Sequence, residues 1–143
     1  LSKCLEEAYL LYFNSRKDIK LNLIKPENDI YFHFDTLQIS RCFNNLIKNA
    51  IEAVEKIPNP AVEVLMATDS KNIKIEIKDN GVGIDEKMLS KIFEPYFTTK
   101  TKGTGLGLSI VKRIIEDHGG KIKIEKNKNM AGTTSLINFE YNA

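Results

Sequence analysis

Residues 73–84 read IKIEIKDNGVGI and carry the clearest structural signal in the chain. Ile73, Ile75 and Ile77 alternate with charged residues, which predicts a strand with one covered face and one face in water. This alternation is typical of an antiparallel sheet, because strands of a parallel sheet are usually apolar on both faces. Glycines at positions 81 and 83 follow, and they predict a tight turn at the end of the strand.

Further strands are predicted on both sides of this segment. Alternating apolar residues place them at 19–23, 30–34, 62–66, about 121–126 and 133–141. Together with the strand that begins at Ile73, they predict a mixed sheet of five or six strands.

Apolar residues at helical spacing predict two helices in the first half of the chain. One covers residues 3–13, with Ser2 as its N-cap. The longest helix follows Asp35, which forms a capping-box pattern with Gln38, and its apolar stripe extends to Val54.

Two more helices are predicted in the second half. A short one covers residues 85–93, and a stronger one extends from about Leu106 to His118, where Gly119 and Gly120 end it. Residues 94–104 lack any period and predict a mobile loop. The fold class is therefore α+β, a two-layer α/β sandwich with a mostly antiparallel sheet and helices on one face.

Length and charge limit the function classes. The 143 residues predict a single domain, and a formal charge of +2 is too small for a protein that binds nucleic acid through its phosphates.

Without a long apolar run or a secretion signal, we expect a cytoplasmic protein. Because the chain begins with Leu1, we expect a fragment of a longer protein, whose remainder could be anchored to a membrane. Cys4 and Cys42 are interpreted as packing residues.

Polar side chains form an unusual face on the longest helix. Asn45, Asn49 and Glu52 are spaced so that they lie on one side, next to the apolar stripe. Asparagine is a mediocre helix former, and its amide oxygen suits a cation such as Mg²⁺. A solvated polar face is the alternative explanation.

A second candidate site follows the strand that ends at Asp79. A carboxylate at a strand end can accept a hydrogen bond from an exocyclic amine, and Gly81 and Gly83 would let a flat ligand approach the backbone. The alternative is a simple turn.

A third candidate site comes before the last helix, where residues 103–108 read GTGLGL. Glycines at a helix N-terminus expose backbone N–H groups that can bind phosphate, and Lys100 and Lys102 lie just before them. Aromatic residues at 93–97 predict either a hinge or docking patch or ordinary packing.

Four segments in order resemble a known family. NNLIKNAIEAV (44–54), DNGVGI (79–84), IFEPYFTTK (92–100) and KGTGLGLSIV (102–111) are similar to the N, G1, F and G2 boxes of two-component sensor histidine kinases. The resemblance covers nearly the whole chain and implies the Bergerat ATP-binding fold. It also implies ATP and Mg²⁺ as cofactors.

The resemblance assigns roles to individual residues. Asn49 would hold Mg²⁺ and Asn45 would lie near the phosphates, so these two are the catalytic candidates. Asp79 would accept the adenine amine, and residues 85–102 would form a lid over ATP. The remaining nucleotide-binding candidates are Gly81, Gly83, Ile84, Lys100, Lys102, Gly103, Thr104, Gly105, Leu106, Gly107 and Leu108.

One departure from the family pattern concerns the charge near the phosphates. Many sensor kinases have a lysine three residues after the second asparagine, whereas this chain has Glu52, as in kinases of the nitrogen-regulation type. Lys48, Lys100 and Lys102 are the candidates that could neutralise the phosphates instead.

The resemblance also implies partners. The phosphoryl acceptor would be a histidine on a separate dimerisation domain of the same protein, and a response regulator would act downstream. His33 and His118 lack the sequence context of an acceptor and are interpreted as a strand residue and a helix-end residue. We expect the isolated domain to be monomeric, to bind no nucleic acid and to need the missing domain for autophosphorylation, and we expect the parent protein to be a homodimer.

Two other functions remain open at this point. One is a hydrolytic ATPase of the gyrase, Hsp90 and MutL type, but those enzymes place a glutamate base where this chain has Asn45, and an amide cannot take a proton from water. The other is a nucleotide-binding regulatory module without catalysis.

Overall fold

A five-stranded sheet organises the part of the chain that the computed structural model describes, residues 1–97 and 107–140. Its strands are β1 (Lys20–Ile24), β2 (Ala61–Thr68), β3 (Asn72–Asp79), β4 (Gly120–Lys126) and β5 (Thr133–Glu140). They lie in the order β1-β2-β3-β5-β4, with β1 parallel to β2 and every other pair antiparallel. The prediction of a mixed, mostly antiparallel sheet is confirmed.

Helices cover one face of this sheet. They are α1 (Ser2–Ser15), α2 (Thr36–Val54) and α4 (Gly107–Asp117), while the single turn α3 (Glu86–Leu89) follows β3 in the chain. The α2 helix packs on β2 and β3, and it lies between α1 and α4, which also packs on β4. The alternation seen in the sequence explains this layering, since Ile73, Ile75 and Ile77 are all buried while Lys74 is exposed.

One predicted strand is wrong. Residues 30–34 form no strand and pair with no strand of the sheet. Phe32 instead stacks on Phe34 at 5.1 Å between ring centroids and meets the buried Phe139 of β5 at 5.2 Å. A period of two shows only that one side of an extended segment is covered, and here packing covers it without strand pairing. His33 is therefore an exposed residue of this segment and not a strand residue.

The predicted cap of the first helix is also wrong. Leu1 occupies the N-cap position, and Ser2 lies inside α1, where its hydroxyl donates a 2.5 Å hydrogen bond to Asp29 Oδ1. The same oxygen accepts from the backbone N–H of Lys3, so Asp29 caps the helix from a distant part of the chain. This hydrogen bonding holds the pKa of Asp29 well below its usual range.

Only one of the two hydrogen bonds of the predicted capping box is present at the start of α2. Asp35 is the N-cap, and its Oδ1 accepts from the backbone N–H of Gln38 at 3.1 Å. The backbone N–H of Asp35 donates to His118 Nε2 at 2.9 Å rather than to the Gln38 side chain. His118 Nδ1 contacts the Ile114 carbonyl within α4 at 2.7 Å, so Nε2 joins the end of α4 to α2 while Nδ1 fixes the ring on its own helix. His118 thus has the structural helix-end role predicted for it.

Replacing Asp35 by alanine should lower the free energy of unfolding by about 1 kcal/mol, because α2 loses the side-chain acceptor at its first turn. Urea unfolding monitored by circular dichroism measures the change. Thr36→Ala is the matched control, since Thr36 is an exposed neighbour inside the helix. Equal stability of the two variants would contradict the capping role.

The cysteines agree with their interpretation as packing residues. Cys4 and Cys42 are both free and buried. Burial raises the pKa of the Cys42 thiol to about 12, so it stays protonated at neutral pH.

Candidate functional site

One face of α2 forms the floor of the candidate site. Asn45, Asn49 and Ala53 follow one another at intervals of four residues, so their side chains lie on the same side of the helix. The Asn49 amide nitrogen lies 3.4 Å from Asn45 Oδ1, which aligns the two half-buried amides along the helix. The three members of the predicted polar row, Asn45, Asn49 and Glu52, are all half-buried.

Gly107 brings the start of α4 to one end of this floor. A Cβ at position 107 would lie 2.9 Å from the Asn45 amide nitrogen and 3.0 Å from its oxygen. A larger residue would displace the Asn45 amide, so the glycine allows the first turn of α4 to rest on Asn45. The N-terminus of a helix presents unpaired N–H groups and a partial positive charge, which suit an anion.

Gly81 brings the predicted strand-end turn to the other end of the floor. A Cβ at position 81 would lie 2.4 Å from the carbonyl oxygen of Ala53, far closer than van der Waals contact allows. The backbone N–H of Val82 donates to the same carbonyl at 3.4 Å. The turn after β3 therefore rests directly on the last turns of α2.

Asp79 is a buried carboxylate at the Gly81 end of the site. It is 6% exposed, and its Oδ1 accepts from the backbone N–H groups of Gly81 at 2.9 Å and Thr133 at 3.3 Å. Within residues 1–97 and 107–140 no lysine or arginine forms an ion pair with it. Burial raises the pKa of Asp79, and the two backbone hydrogen bonds oppose that rise only in part. Such a carboxylate is a strong acceptor for a ligand amine.

The two ends of the site are separated by a distance that suits a nucleotide. Asn45 and Ala53 are eight residues apart, which is about 12 Å along a helix. An amine acceptor therefore lies at one end, the start of a helix lies at the other, and two amides lie between them. This arrangement matches an elongated ligand with a base at one end and phosphates at the other.

The structure brings together the predicted site residues that it describes. Gly83 has a φ of 78° in the turn after Gly81, and Ile84 is half-buried beside it. Leu108 packs against the core from the first turn of α4. Six predicted residues lie outside the described part of the chain: Lys100, Lys102, Gly103, Thr104, Gly105 and Leu106.

Lys48, one of the three lysines that could neutralise the phosphates, is exposed and lies near a carboxylate. Its side chain is 63% exposed, and its ammonium lies 4.0 Å from Glu52 one turn later. This ion pair satisfies the glutamate that distinguishes the chain from many sensor kinases. The two other lysine candidates are the ones outside the described residues.

The segment after the turn is only partly helical. The predicted helix at 85–93 is limited to α3, and turns follow it. Ile92 is buried, and the ammonium of Lys112 lies 5.4 Å from the centre of the Phe93 ring. Tyr96 is 76% exposed. The aromatic residues of this segment thus divide between packing and exposure.

Several residues near Asp79 have roles that the sequence did not indicate. The Asn80 side chain accepts from Ala61 N–H at 2.8 Å and donates to the Asn59 carbonyl, so it fixes the start of β2. Thr133 reaches Asp79 through its backbone alone. Asn127 donates to the Asp79 carbonyl at 2.7 Å. Gly132, directly before β5, is the one feature of the sequence that could have indicated these contacts, since a glycine in a hairpin indicates a special backbone position.

A cleft of about 510 Å³ opens beside this turn. One wall is formed by residues 82–85 and the other by residues of the turn between β4 and β5. The turn after β3 is thus accessible from solvent next to the buried Asp79.

The donor set restricts which metal could bind. Among the residues that the structure describes, no three His, Cys, Asp or Glu side chains are grouped to hold a metal ion. The amide oxygens of Asn45 and Asn49 are hard donors, which fit Mg²⁺ if ligand phosphates complete its shell. The residues present therefore fit a magnesium ion that arrives with a nucleotide, and not a zinc site.

No helix among the described residues has the length and apolar character that crossing a membrane requires.

Comparisons with known proteins identify similar sequences. Residues 34–142 match the family model described as "Histidine kinase-, DNA gyrase B-, and HSP90-like ATPase". Sporulation kinase A of Bacillus subtilis is 40% identical over 79% of this chain, and a putative NtrY-like sensor histidine kinase of Rickettsia bellii is 41% identical over 76%. The chain covers only 18% of the length of each of these relatives.

Solved structures with the same fold are also found. The catalytic domain of histidine kinase ThkA is 34% identical, with a TM-score of 0.86 over 98% of this chain and 91% of that domain. ThkA in complex with the response regulator TrrA is 30% identical, with a TM-score of 0.82 over 99% of this chain and 40% of the ThkA chain.

Proposed function

Because the chain belongs to the family of histidine kinase-, DNA gyrase B- and HSP90-like ATPases, we propose that it is the ATP-binding catalytic domain, residues 1–143, of a longer sensor histidine kinase. One observation carries the proposal. Asp79 and the turn that follows it lie at one end of the α2 face, and the start of α4 lies at the other end. The separation between the two ends fits ATP.

Adenine would bind at the Asp79 end. The ionised carboxylate would accept a hydrogen bond from the exocyclic amine, a charge-assisted bond worth about 1.5–3 kcal/mol. Gly81 and Gly83 carry no side chain that could cover the base, and Ile84 would line its pocket.

The phosphates would lie at the Gly107 end. The first turn of α4 would donate backbone N–H groups, and the glycines before it would extend this cradle. Asn45, which contacts Gly107, would lie beside the phosphates, and Asn49 would place its amide oxygen toward Mg²⁺. When bound, Mg²⁺ would neutralise phosphate charge.

The amides favour transfer over hydrolysis. Neither Asn45 nor Asn49 can take a proton from water, and Asn45 occupies the position at which the hydrolytic ATPases place their glutamate base. In transfer to histidine, the bond between the γ-phosphorus and the bridging oxygen breaks, a phosphorus–nitrogen bond forms and ADP leaves. Positioning and charge neutralisation supply most of the catalysis in such reactions.

The acceptor would come from outside this chain. Both ring nitrogens of His118 are engaged within the fold, and His33, although exposed, lacks the sequence context of a phosphoryl acceptor. The acceptor is therefore a histidine on a helical dimerisation domain of the same protein. The complex of ThkA with TrrA supports a response regulator as the downstream partner.

A phosphotransfer assay tests this function. The purified chain, mixed with Mg²⁺-ATP and the separate histidine-bearing domain of a nitrogen-regulation sensor kinase, should produce acid-labile phosphate on that domain. Asn49→Ala should reduce the rate at least about 100-fold, because a misplaced metal misaligns the phosphates. Asn14→Ala, which removes an exposed amide on α1, should leave the rate unchanged. Steady ATP hydrolysis without phosphohistidine would contradict the kinase and support the ATPase.

A further inference from the structure

Asn127 lies directly after β4 and uses its whole side chain in hydrogen bonds. Its amide nitrogen donates to the carbonyl of Asp79 at 2.7 Å and to that of Ala131 at 3.1 Å. Its amide oxygen accepts from the Thr134 hydroxyl at 2.5 Å. The residue therefore joins the hairpin turn at 127–132, which connects β4 to β5, to the end of β3.

The hairpin turn is pressed against Asp79 at a second point. Gly132 has a φ of 107°, and a Cβ there would lie 2.0 Å from the Asp79 carbonyl oxygen. The turn is closed by a backbone bond from Asn127 N–H to the Gly132 carbonyl at 3.1 Å. Only glycine at position 132 leaves the Asp79 carbonyl accessible to the Asn127 amide.

Asp79 is thus held at both of its polar groups by one hairpin. Asn127 binds its carbonyl, and the backbone N–H of Thr133 binds its carboxylate at 3.3 Å. The second bond is long and depends on where the hairpin lies. Loss of the first bond would leave the orientation of the carboxylate less constrained.

We propose that Asn127 is a positioning residue that sets the orientation of Asp79 and thereby the preference of the site for adenine over a purine without an exocyclic amine. The inference rests on the proposed ATP site. The side chain must supply two donors and one acceptor at once, which asparagine does. Oriented acceptors of this kind discriminate by geometry, so small displacements reduce selectivity.

The test compares ATP with inosine triphosphate, which carries a carbonyl oxygen in place of the amine. Calorimetric titrations with Mg²⁺ measure both affinities for the wild type, Asn127→Ala and the control Asn129→Ala. Asn129 is an exposed amide in the same hairpin turn. The wild type and the control should prefer ATP at least about 10-fold, and Asn127→Ala should lower this ratio about 3- to 10-fold, chiefly through weaker ATP binding.

The outcomes separate the inference from the function beneath it. An unchanged ratio in Asn127→Ala, or an equal loss of both affinities, would overturn the positioning role. Absence of any ATP preference in the wild type would overturn the adenine site itself. Thr134→Val provides a second variant if Asn127→Ala does not fold, because it removes the hydroxyl that orients Asn127. It should lower the ratio in the same direction, and an unchanged ratio there would also overturn the inference.

Discussion

Asp79→Asn should weaken the binding of Mg²⁺-ATP about 10- to 100-fold, the loss of one charge-assisted hydrogen bond of about 1.5–3 kcal/mol. The same change should make the ligand-free domain more stable. Asparagine keeps an oxygen that can accept from Gly81 and Thr133, and it removes a buried charge that no cation balances within the described residues. Loss of affinity together with a gain in stability distinguishes a binding residue from a structural one.

The dependence on pH follows from the raised pKa of Asp79. Because its folded-state pKa lies above the unfolded value, ionisation costs stability as the pH rises through the folded pKa. The stability advantage of Asp79→Asn should therefore be present at neutral pH and disappear below the ordinary pKa of 3.8. Nucleotide affinity of the wild type should fall as the pH drops through the raised pKa, because the protonated carboxyl is a weaker acceptor.

Thermal unfolding without nucleotide and calorimetric titration with a non-hydrolysable ATP analogue, both repeated across pH, measure these effects. Glu63→Gln is a suitable control, since it changes the same charge on an exposed strand residue. If Asp79→Asn binds the ATP analogue with wild-type affinity, adenine does not bind at Asp79. A variant with lower stability at neutral pH would contradict the unbalanced charge.

Gly81→Ala should produce the second large effect, a loss of about 3 kcal/mol of stability together with loss of nucleotide binding. The added Cβ would lie 2.4 Å from the carbonyl oxygen of Ala53 and 2.7 Å from its carbonyl carbon. These backbone atoms of α2 have little freedom to move. The turn must then lift away from α2, which moves Asp79 because its Oδ1 accepts from the Gly81 N–H.

Gly83→Ala is the matched control for this variant. Its Cβ would meet nothing closer than 3.9 Å, so it introduces only the strain of a φ of 78°, about 1 kcal/mol. Urea unfolding compares the stabilities of the two variants, and ATP titration compares Gly81→Ala with the wild type, because Gly83 itself lies in the proposed base pocket. Equal losses of stability in the two variants would contradict the requirement for glycine that the contact with α2 imposes at position 81.

The fold was predictable where burial imposes a period on the sequence. The alternation at Ile73–Ile77 and the stripe along α2 correctly indicate a sheet with helices on one face. The same reasoning failed at residues 30–34, because packing on Phe139 produces alternation without strand pairing. It failed at Ser2 because the helix is capped by Asp29, a residue far along the chain.

The candidate site was predictable only where the chemistry is local. Asp79 could be singled out from its strand-end position, and the resemblance to sensor histidine kinases is confirmed by the family model. The contact of Gly81 with Ala53 and the hydrogen bond from Asn127 to Asp79 could not be predicted, since they join residues that are 28 and 48 positions apart in the chain. The first pair become neighbours because α2 packs on β3, and the second through the strand order β3-β5-β4.

Calorimetric titration of the purified wild-type chain with Mg²⁺ and a non-hydrolysable ATP analogue tests the central claim most directly. We expect one site with a Kd in the micromolar to sub-millimolar range, about −5 to −8 kcal/mol. Binding in that range would support an ATP-dependent catalytic domain. A folded chain that binds no nucleotide would contradict the account, and the α2 face with its two turns would then be the scaffold of a regulatory module.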